Sequence, residues 1–480
     1  MVDGIGETWM RLLAARLDGT PAVVVPDGIW SGAELARRAA GAAAWLDAIG
    51  ATPGRPVAAL VSSTPDAYAL TLGAAASRRP LAPLGPRMTA FEVRACLQPL
   101  GASVLVAEPG ASALAIAAAA PLGLRIELQP QIPPSDRPLD LSAGPDDVAA
   151  ILHTSGSSSQ PKPVRYTQAR LARRTRLNAA LLGLGPGAVY ASASPFHHIA
   201  GLGMLFVALG AGAALHPFPK FTVNAWAEAV AHGVTHGILV PTMVEQLLDE
   251  GRLSPGRLRC LHYGASPVDP RTLGRLMAAL PGVELAQIYG QTEGSPITCL
   301  TTQDHRRIVA GDEHLVRSVG RPVEGVELVV HDPDGSGIGE VWARAEHFFR
   351  TDEDGWMRTG DLGRLDDKGY LYLTGRKGDL IIRGGENVYP EEVERVLRTH
   401  PAVHDAAVVG EHDDRLGQRV VAHVVRNPGA DVDAGELRVH TREVLAGFKV
   451  PEHWIFVDEL PRNAAGKVLR RLLTSSEGPR

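Results

Sequence analysis

Val148-Ala-Ala-Ile-Leu-His153-Thr-Ser-Gly-Ser-Ser-Ser-Gln-Pro-Lys162-Pro-Val164 joins an apolar run to a loop of hydroxyls, one glycine and a lysine. Residues 148–152 have the length and continuity of a buried strand. Hydroxyls and backbone N–H groups on such a turn, closed by a lysine, form a cradle for anions. The loop lacks the Gly-Lys-Ser/Thr ending of a Walker loop, which disfavours P-loop NTPase chemistry. Taken alone, the same residues also fit a serine-rich surface turn.

Outward from this loop the chain alternates. Residues 22–25, 57–61 and 102–106 read as short buried strands, separated by helical pattern; 237–240, 258–262 and 284–288 repeat them. Strands spaced by helices imply βαβ units and a mainly parallel sheet, an α/β fold. Ser31 and Glu34 have capping-box spacing ahead of an alanine-rich helix that fades at Gly50. After Glu313 short strands (326–331, 339–343, 370–374) alternate with Asp-Pro-Asp-Gly and Asp-Glu-Asp-Gly turns, suggesting an antiparallel or barrel-like subdomain. A compact α+β unit follows. Pro390 fits a helix's first turn, and Asp433 with Glu436 caps a later helix expected to stop at Gly447. The expected division is a large core, 1–376, and a small mobile C-terminal domain, 377–480.

The chain has 480 residues, 48 Lys+Arg against 53 Asp+Glu and a formal charge of -5. That balance gives no broad electrostatic footprint for nucleic acid or an anionic membrane. Cys96, Cys260 and Cys299 are too few for a disulfide framework or a zinc site. No signal peptide is read at the start, so a reduced, cytoplasmic setting is expected. The uncharged stretch 199–215 is too short to span a bilayer and reads as a buried strand and helix.

The anion loop is followed, in order, by Pro195-Phe-His-His-Ile-Ala-Gly201, Tyr289-Gly-Gln-Thr-Glu293, Arg358-Thr-Gly-Asp-Leu-Gly363, Gly375-Arg376, Gly384-Gly-Glu-Asn-Val-Tyr-Pro390 and Pro461-Arg-Asn-Ala-Ala-Gly-Lys467. This series resembles the adenylate-forming superfamily: acyl-CoA synthetases, adenylation domains of peptide synthetases and luciferases. The resemblance runs from about residue 22 to 473 and is densest at 289–390. Among these it is closest to the acyl-CoA ligases.

The resemblance implies two half-reactions. A carboxylate attacks the α-phosphate of ATP and releases pyrophosphate; a thiol then displaces AMP. It also implies roles. Thr154, Ser155, Gly156, Ser157, Ser158 and Lys162 would hold the β- and γ-phosphates. Thr292 would meet the α-phosphate, and Glu293 would hold Mg²⁺, for which a carboxylate is a suitable hard ligand. Tyr289, beside Gly290, would stack on adenine, with Gly264, Ala265 and Ser266 in close backbone approach. Asp361 and Arg376 would take the ribose. Lys467 would place its charge between the two reacting anions. His198 would line or gate the acyl pocket, though a core histidine fits equally well; His153 reads as packing. Domain rotation about Gly378 would bring Gly384 and Gly385 to the site, where pantetheine of coenzyme A passes the backbone.

Two departures stand out. Ser159 and Pro163 occupy positions that are usually glycine in the family, and both touch the ATP half-reaction. The segment between Glu340 and Thr359 is also short. An ATP- and Mg-dependent acyl-CoA ligase is the leading expectation. Alternatives are a thiolation-specialised ligase that takes a pre-formed acyl-adenylate, an acyl-AMP ligase that loads a carrier protein, and a nucleotide-binding scaffold without activity. The histidines at 197 and 198 stand where peptide synthetases place an acid for an α-amino group. With the apolar stretches 200–215 and 240–243, they point to an apolar carboxylic acid.

Overall fold

The protein is described by a computed structural model over residues 7–129, 131–154, 161–265, 268–462 and 468–474. Ser155, Gly156, Ser157, Ser158, Ser159, Ser266 and Lys467 lie outside the described residues. Contacts divide the chain into two compact units. One runs to Glu327 and takes in Ala343–Met357; the other holds Leu328–Trp342 and the chain from Arg358 on.

The first unit is built on two sheets. A six-stranded sheet has the order Ile126–Leu128, Val104–Ala107, Val57–Leu60, Leu81–Leu84, Val148–His153, Pro163–Thr167. It is parallel until its last pair, which is antiparallel. A nine-stranded sheet runs Arg321–Pro322, Gly294–Leu300, Glu284–Gln291, Cys260–Gly264, His236–Leu239, Val189–Ser192, Ala214–His216, Pro21–Val25, Gly28–Ser31. Its interior pairs are parallel, from Glu284–Gln291 across to Pro21–Val25. Both sheets show why their strands read as unbroken apolar runs: parallel strands covered on both faces have no solvent side to make polar. Val57–Leu60 is buried at every residue.

One core cluster takes residues from both sheets, among them Val23, Val57, Leu152 and Tyr190, and from the helix Pro65–Ala76. The uncharged stretch after His198 is buried structure, as expected. It forms the π-helix Ile199–Gly203, the helix Met204–Ala211 and the strand Ala214–His216. Trp9 fixes that helix by donating Nε1–H to the Phe206 carbonyl at 2.7 Å. Among the described residues no helix is long and apolar enough to cross a membrane.

The second unit holds a four-stranded sheet, Glu327–His331, Gly339–Arg344, Met357–Leu365, Leu371–Arg376, in that order. Its last pair is antiparallel. A five-stranded sheet follows, flanked by Pro390–Arg398 and Ala434–Arg442. Pro390 opens its helix as expected, and Asp433 with Glu436 forms a full capping box.

Two local expectations need correction. The helix after Asp433 ends at Arg442, not at Gly447, which opens a 3-10 turn instead. Thr441 turns its hydroxyl back on the carbonyls of Leu437 and Arg438, a bond that competes with the helix ladder. Ser31 accepts from the Glu34 N–H, but the Glu34 carboxylate goes to Arg37 and Arg38, so only half of that capping box forms.

Candidate active site

In the first unit the expected residues gather at the carboxyl ends of parallel strands, where α/β sheets bind ligands. Thr154 follows Val148–His153, and its N–H donates to the Lys162 carbonyl at 3.1 Å, closing the base of the anion loop. Pro163 then opens the edge strand Pro163–Thr167. The first residue of an edge strand is a position where a sheet tolerates proline, so the departure at 163 has a backbone reason of its own.

Gly264 ends Cys260–Gly264 opposite Ile288, and a Cβ there would stand 2.3 Å from the Ile288 carbonyl oxygen. Only glycine fits. The next residue, Ala265, holds φ +70, a left-handed backbone that costs a side chain about 1–2 kcal/mol. Strain of this kind collects where a backbone must meet a ligand. Tyr289 lies one residue beyond Ile288, on the strand beside this loop.

Thr292 and Glu293 are the two turn residues of a hairpin whose strands meet at Gln291 and Gly294, with Gly290 packed against Ser295. Two-residue hairpins prefer turns with positive φ, yet neither residue has it. The tip is instead held from outside. Tyr166 donates its hydroxyl to the Thr292 carbonyl at 2.9 Å, and the Phe349 N–H donates to the Glu293 carbonyl at 2.7 Å. Arg174 Nε donates to the Ser295 carbonyl at 3.1 Å, and His347 Nε2 lies 2.9 Å from the Pro296 carbonyl. The rings of Tyr166 and Phe349 stack at 3.8 Å. With its backbone so engaged, the tip presents a threonine hydroxyl and a partly exposed carboxylate.

His197 and His198 follow Val189–Ser192 and lie 4.3 Å apart, ring to ring. A Cβ at Gly85 would stand 2.4 Å from the His197 ring, so glycine there makes room for it. Burial pushes His198 down to about 4. Burial and then the charges of His198, Arg87 and His153 push His197 to about 3. His198 Nε2 is buried and has no hydrogen-bond partner among the described residues. With both imidazoles held well below their ordinary range, neither contributes a fixed charge at pH 7.

Burial likewise lowers His153, His236 and His347 to about 4 and His262 to about 3. In the unfolded chain each returns to about 6.5. Between those values the unfolded state binds more protons, so stability must fall as pH drops below about 6.5 and keep falling toward 4. Each histidine adds a slope approaching about 1.4 kcal/mol per pH unit. Urea midpoints at pH 7, 6 and 5 are expected to decline with increasing steepness; a flat series would show these rings charged or exposed.

The second unit carries the other expected residues. Asp361 and Arg376 are cross-strand partners, and Arg376 Nε donates to Asp361 Oδ1 at 2.5 Å. The carboxylate is 8% exposed, and its backbone N–H is held by Thr359 Oγ1, which itself donates to the Val341 carbonyl. Gly384 and Gly385 have φ +61 and +88 and form the tip of the hairpin between Ile381–Arg383 and Glu386–Val388. Two positive φ values in a two-residue turn require glycines on backbone grounds alone. Gly378 sits in the 3-10 turn Lys377–Asp379, and Lys377 pairs with Glu340 at 2.9 Å.

Sequence reasoning missed Tyr166, Arg174, His347 and Phe349, which fix the tip without facing solvent. Arg174 had a readable signal: it falls on the buried stripe Leu171, Thr175, Asn178, Leu182 of the helix Gln168–Leu182.

Comparison with known proteins places this arrangement. Residues 12–351 match the family described as AMP-binding enzyme, and 392–467 match its C-terminal domain. The chain belongs to the AMP-binding enzyme family. These are the adenylate-forming enzymes, as the motif series had suggested. A fatty acid–[acyl-carrier-protein] ligase, ScoC, from Streptomyces coeruleorubidus is 33% identical over 95% of this chain and 93% of its own. The indoleacetate–CoA ligase of Aromatoleum aromaticum is 31% identical over 96% of each. The o-succinylbenzoate CoA synthetase of Bacillus subtilis, solved with its acyl-adenylate, superposes with a TM-score of 0.87 at 27% identity, covering 99% of both chains. The chain is an enzyme of the acid–thiol ligase type, in a family of ATP-dependent CoA and carrier-protein ligases.

Proposed function

We propose that the protein is an acyl-CoA ligase that activates an apolar carboxylic acid as its acyl-adenylate and transfers the acyl group to coenzyme A. The observation that carries this reading is that the braced Thr292–Glu293 tip and the neutral His197–His198 pair both stand at the carboxyl ends of strands of one sheet. An acid's oxygen attacks the α-phosphorus, the bond to pyrophosphate breaks, and pyrophosphate leaves. A thiol sulfur then attacks the acyl carbon and gives up its proton to the medium, and AMP leaves with the electron pair of the broken bond.

Glu293 fits a Mg²⁺ ligand: it is a hard oxygen donor at a partly exposed tip whose neighbouring carbonyls are already engaged. When bound, the ion would neutralise phosphate charge. Thr154, Lys162 and the Ser155–Ser158 segment (155–158) would hold the outer phosphates, and Thr292 the α-phosphate. Tyr289, with Gly264, Ala265 and Ser266, would hold adenine. Asp361, its charge balanced by Arg376, would accept from the ribose hydroxyls. The core 1–376 and a rotating domain 377–480, turning at Gly378, would serve the two half-reactions in turn, with Lys467 acting in the first and Gly384–Gly385 in the second. A cytoplasmic setting accords with this chemistry.

The full-length likeness to ScoC favours one second reading, in which the acceptor is a carrier protein's pantetheine. Both are tested by one experiment. The purified protein is given a panel of aryl and fatty acids with ATP and MgCl₂, or their synthetic acyl-adenylates, with CoA or a holo carrier protein as acceptor. Pyrophosphate release and acyl-CoA are expected. Acyl-carrier product alone selects the second reading. Turnover of acyl-adenylates without pyrophosphate release would assign the protein to thiolation, as the changes at Ser159 and Pro163 allow. No product from either source would leave a binding protein.

A further inference from the structure

Arg174 is a buried cation without a carboxylate. Its side chain projects from the helix Gln168–Leu182, it is 2% exposed, and among the described residues it forms no ion pair. An unpaired buried charge costs several kcal/mol unless its donors are satisfied. Its donors reach three acceptors. Nη1 donates to the Gly203 carbonyl at 2.6 Å, Nε to the Ser295 carbonyl at 3.1 Å, and Nη2 lies 3.7 Å from Met204 Sδ. The surrounding ionisable groups are Tyr166, Tyr190, His262 and His347. Burial holds both tyrosine hydroxyls protonated and both imidazoles neutral, so none of them offsets the charge.

The two carbonyls belong to different segments. Gly203 ends the π-helix that begins one residue after His198, and Ser295 lies two residues after Glu293. A π-turn is a costly local shape that tends to occur at functional sites. The turn at Thr292–Glu293 is equally unsuited to standing alone, lacking the positive φ of a free hairpin. The guanidinium is a rigid planar fork, so bonding both carbonyls fixes the distance between them. Gly203 lets it come close: a Cβ there would stand 3.3 Å from both Nη atoms.

We propose that Arg174 is a positioning residue that holds the histidine segment and the Thr292–Glu293 tip in one fixed relation, setting acid and nucleotide against each other through a single side chain. The functional half of this proposal rests on the ligase reading above; the structural half does not.

The test has two arms on the full chain. Hydrogen exchange compares wild type with Arg174→Met, which keeps length and loses every donor. Peptides across 196–204 and across 290–297 are both expected to exchange about tenfold faster, while those across 57–60 stay unchanged. Loosening of one segment alone, or of neither, overturns the clamp. In the second arm, pyrophosphate release is followed with ATP, MgCl₂ and indoleacetate, ferulate or octanoate. Misplacement of reacting groups should lower kcat about thirtyfold. The KM for ATP should move less than about threefold, because the outer-phosphate loop, Asp361 and the Gly264–Ala265 backbone do not depend on the tip. Arg174→Lys restores charge but not the two-point fork, and is expected to stay near the methionine variant. Full recovery by lysine, or an unchanged kcat in Arg174→Met, overturns positioning. Should Arg174→Met fail to fold, Gly203→Ala crowds the guanidinium without deleting it; its Cβ would also stand 2.9 Å from Ile199 Cγ1, so loosening of 290–297, not of 196–204 alone, is required. A wild type that turns over none of the acids and none of their acyl-adenylates refutes the ligase reading, and the exchange arm then judges the clamp by itself.

Discussion

Glutamine in place of Glu293 will lower acid-dependent pyrophosphate release about a hundredfold or more, the scale set by removing one group that stabilises developing charge. The substitution keeps shape and removes only the negative charge. None of the bonds that hold the hairpin tip uses this side chain: Thr292 and Glu293 are fixed through their carbonyls by Tyr166 and Phe349, and Ser295 and Pro296 by Arg174 and His347. Thermal stability should therefore change by no more than about 0.5 kcal/mol, as for a surface residue. The deficit should shrink as MgCl₂ is raised, because a weaker site still fills at higher metal. A Glu293→Gln enzyme with more than a third of wild-type rate at low Mg²⁺ would remove Glu293 from the metal site.

Legibility in the sequence followed how local each physical cause is. Strand positions were readable because buried parallel strands are uniformly apolar: residues 57–61 and 284–288 lie within one or two residues of Val57–Leu60 and the start of Glu284–Gln291. Pro390 and the Asp433–Glu436 box were readable because caps act over three or four residues. The end of the last α-helix was not, since a side-chain hydroxyl of Thr441, not the glycine six residues later, competes with its ladder. Among site residues, those in loops with unusual composition were visible as motifs, and Ala265 then proved to hold the strained backbone such a loop demands. Tyr166, His347 and Phe349 were hidden because each acts on a carbonyl more than 50 residues away in sequence, and so does Arg174, whose place on a buried helix stripe shows its burial but not its partner.

The same distinction separates two kinds of glycine. Gly384 and Gly385 appeared in a motif suited to pantetheine passage, but their positive φ values meet the needs of a two-residue hairpin first. A turn that requires glycine and a ligand that requires a bare backbone make the same demand. Substitution there would damage both at once and would say little about coenzyme A. The ion pair of Asp361 with Arg376 is more informative, because Asp361→Asn keeps the strand and its Thr359 bond while removing the charge that ribose hydroxyls would meet.

Alanine at Lys467 separates the half-reactions more sharply than any change in the described site. Lys467 itself lies outside the described residues, but its flanks are defined. Arg462 and Val468 form an antiparallel bridge, the Leu469 N–H donates to the Pro461 carbonyl at 2.8 Å, and Arg462 pairs with Asp405. Those contacts close the base of the segment without using the lysine, so Lys467→Ala should leave the C-terminal unit folded. The first half-reaction brings a carboxylate against the α-phosphate, and two anions approaching at about 4 Å repel by about 4 kcal/mol near a protein surface. A point charge between them offsets that repulsion only while both anions are present. In the second half-reaction the acyl-adenylate is already formed, the carboxylate charge is gone, and the attacking group is a thiol. Loss of Lys467 should therefore lower pyrophosphate release about a hundred- to a thousandfold. Acyl-CoA formation from a synthetic acyl-adenylate should stay within about threefold of wild type. Equal losses in both assays would mean that the lysine supports the unit's structure instead of the first step. Equal retention would mean that the first step draws its positive charge from elsewhere, and Lys162, at the close of the anion loop, is then the residue to change next.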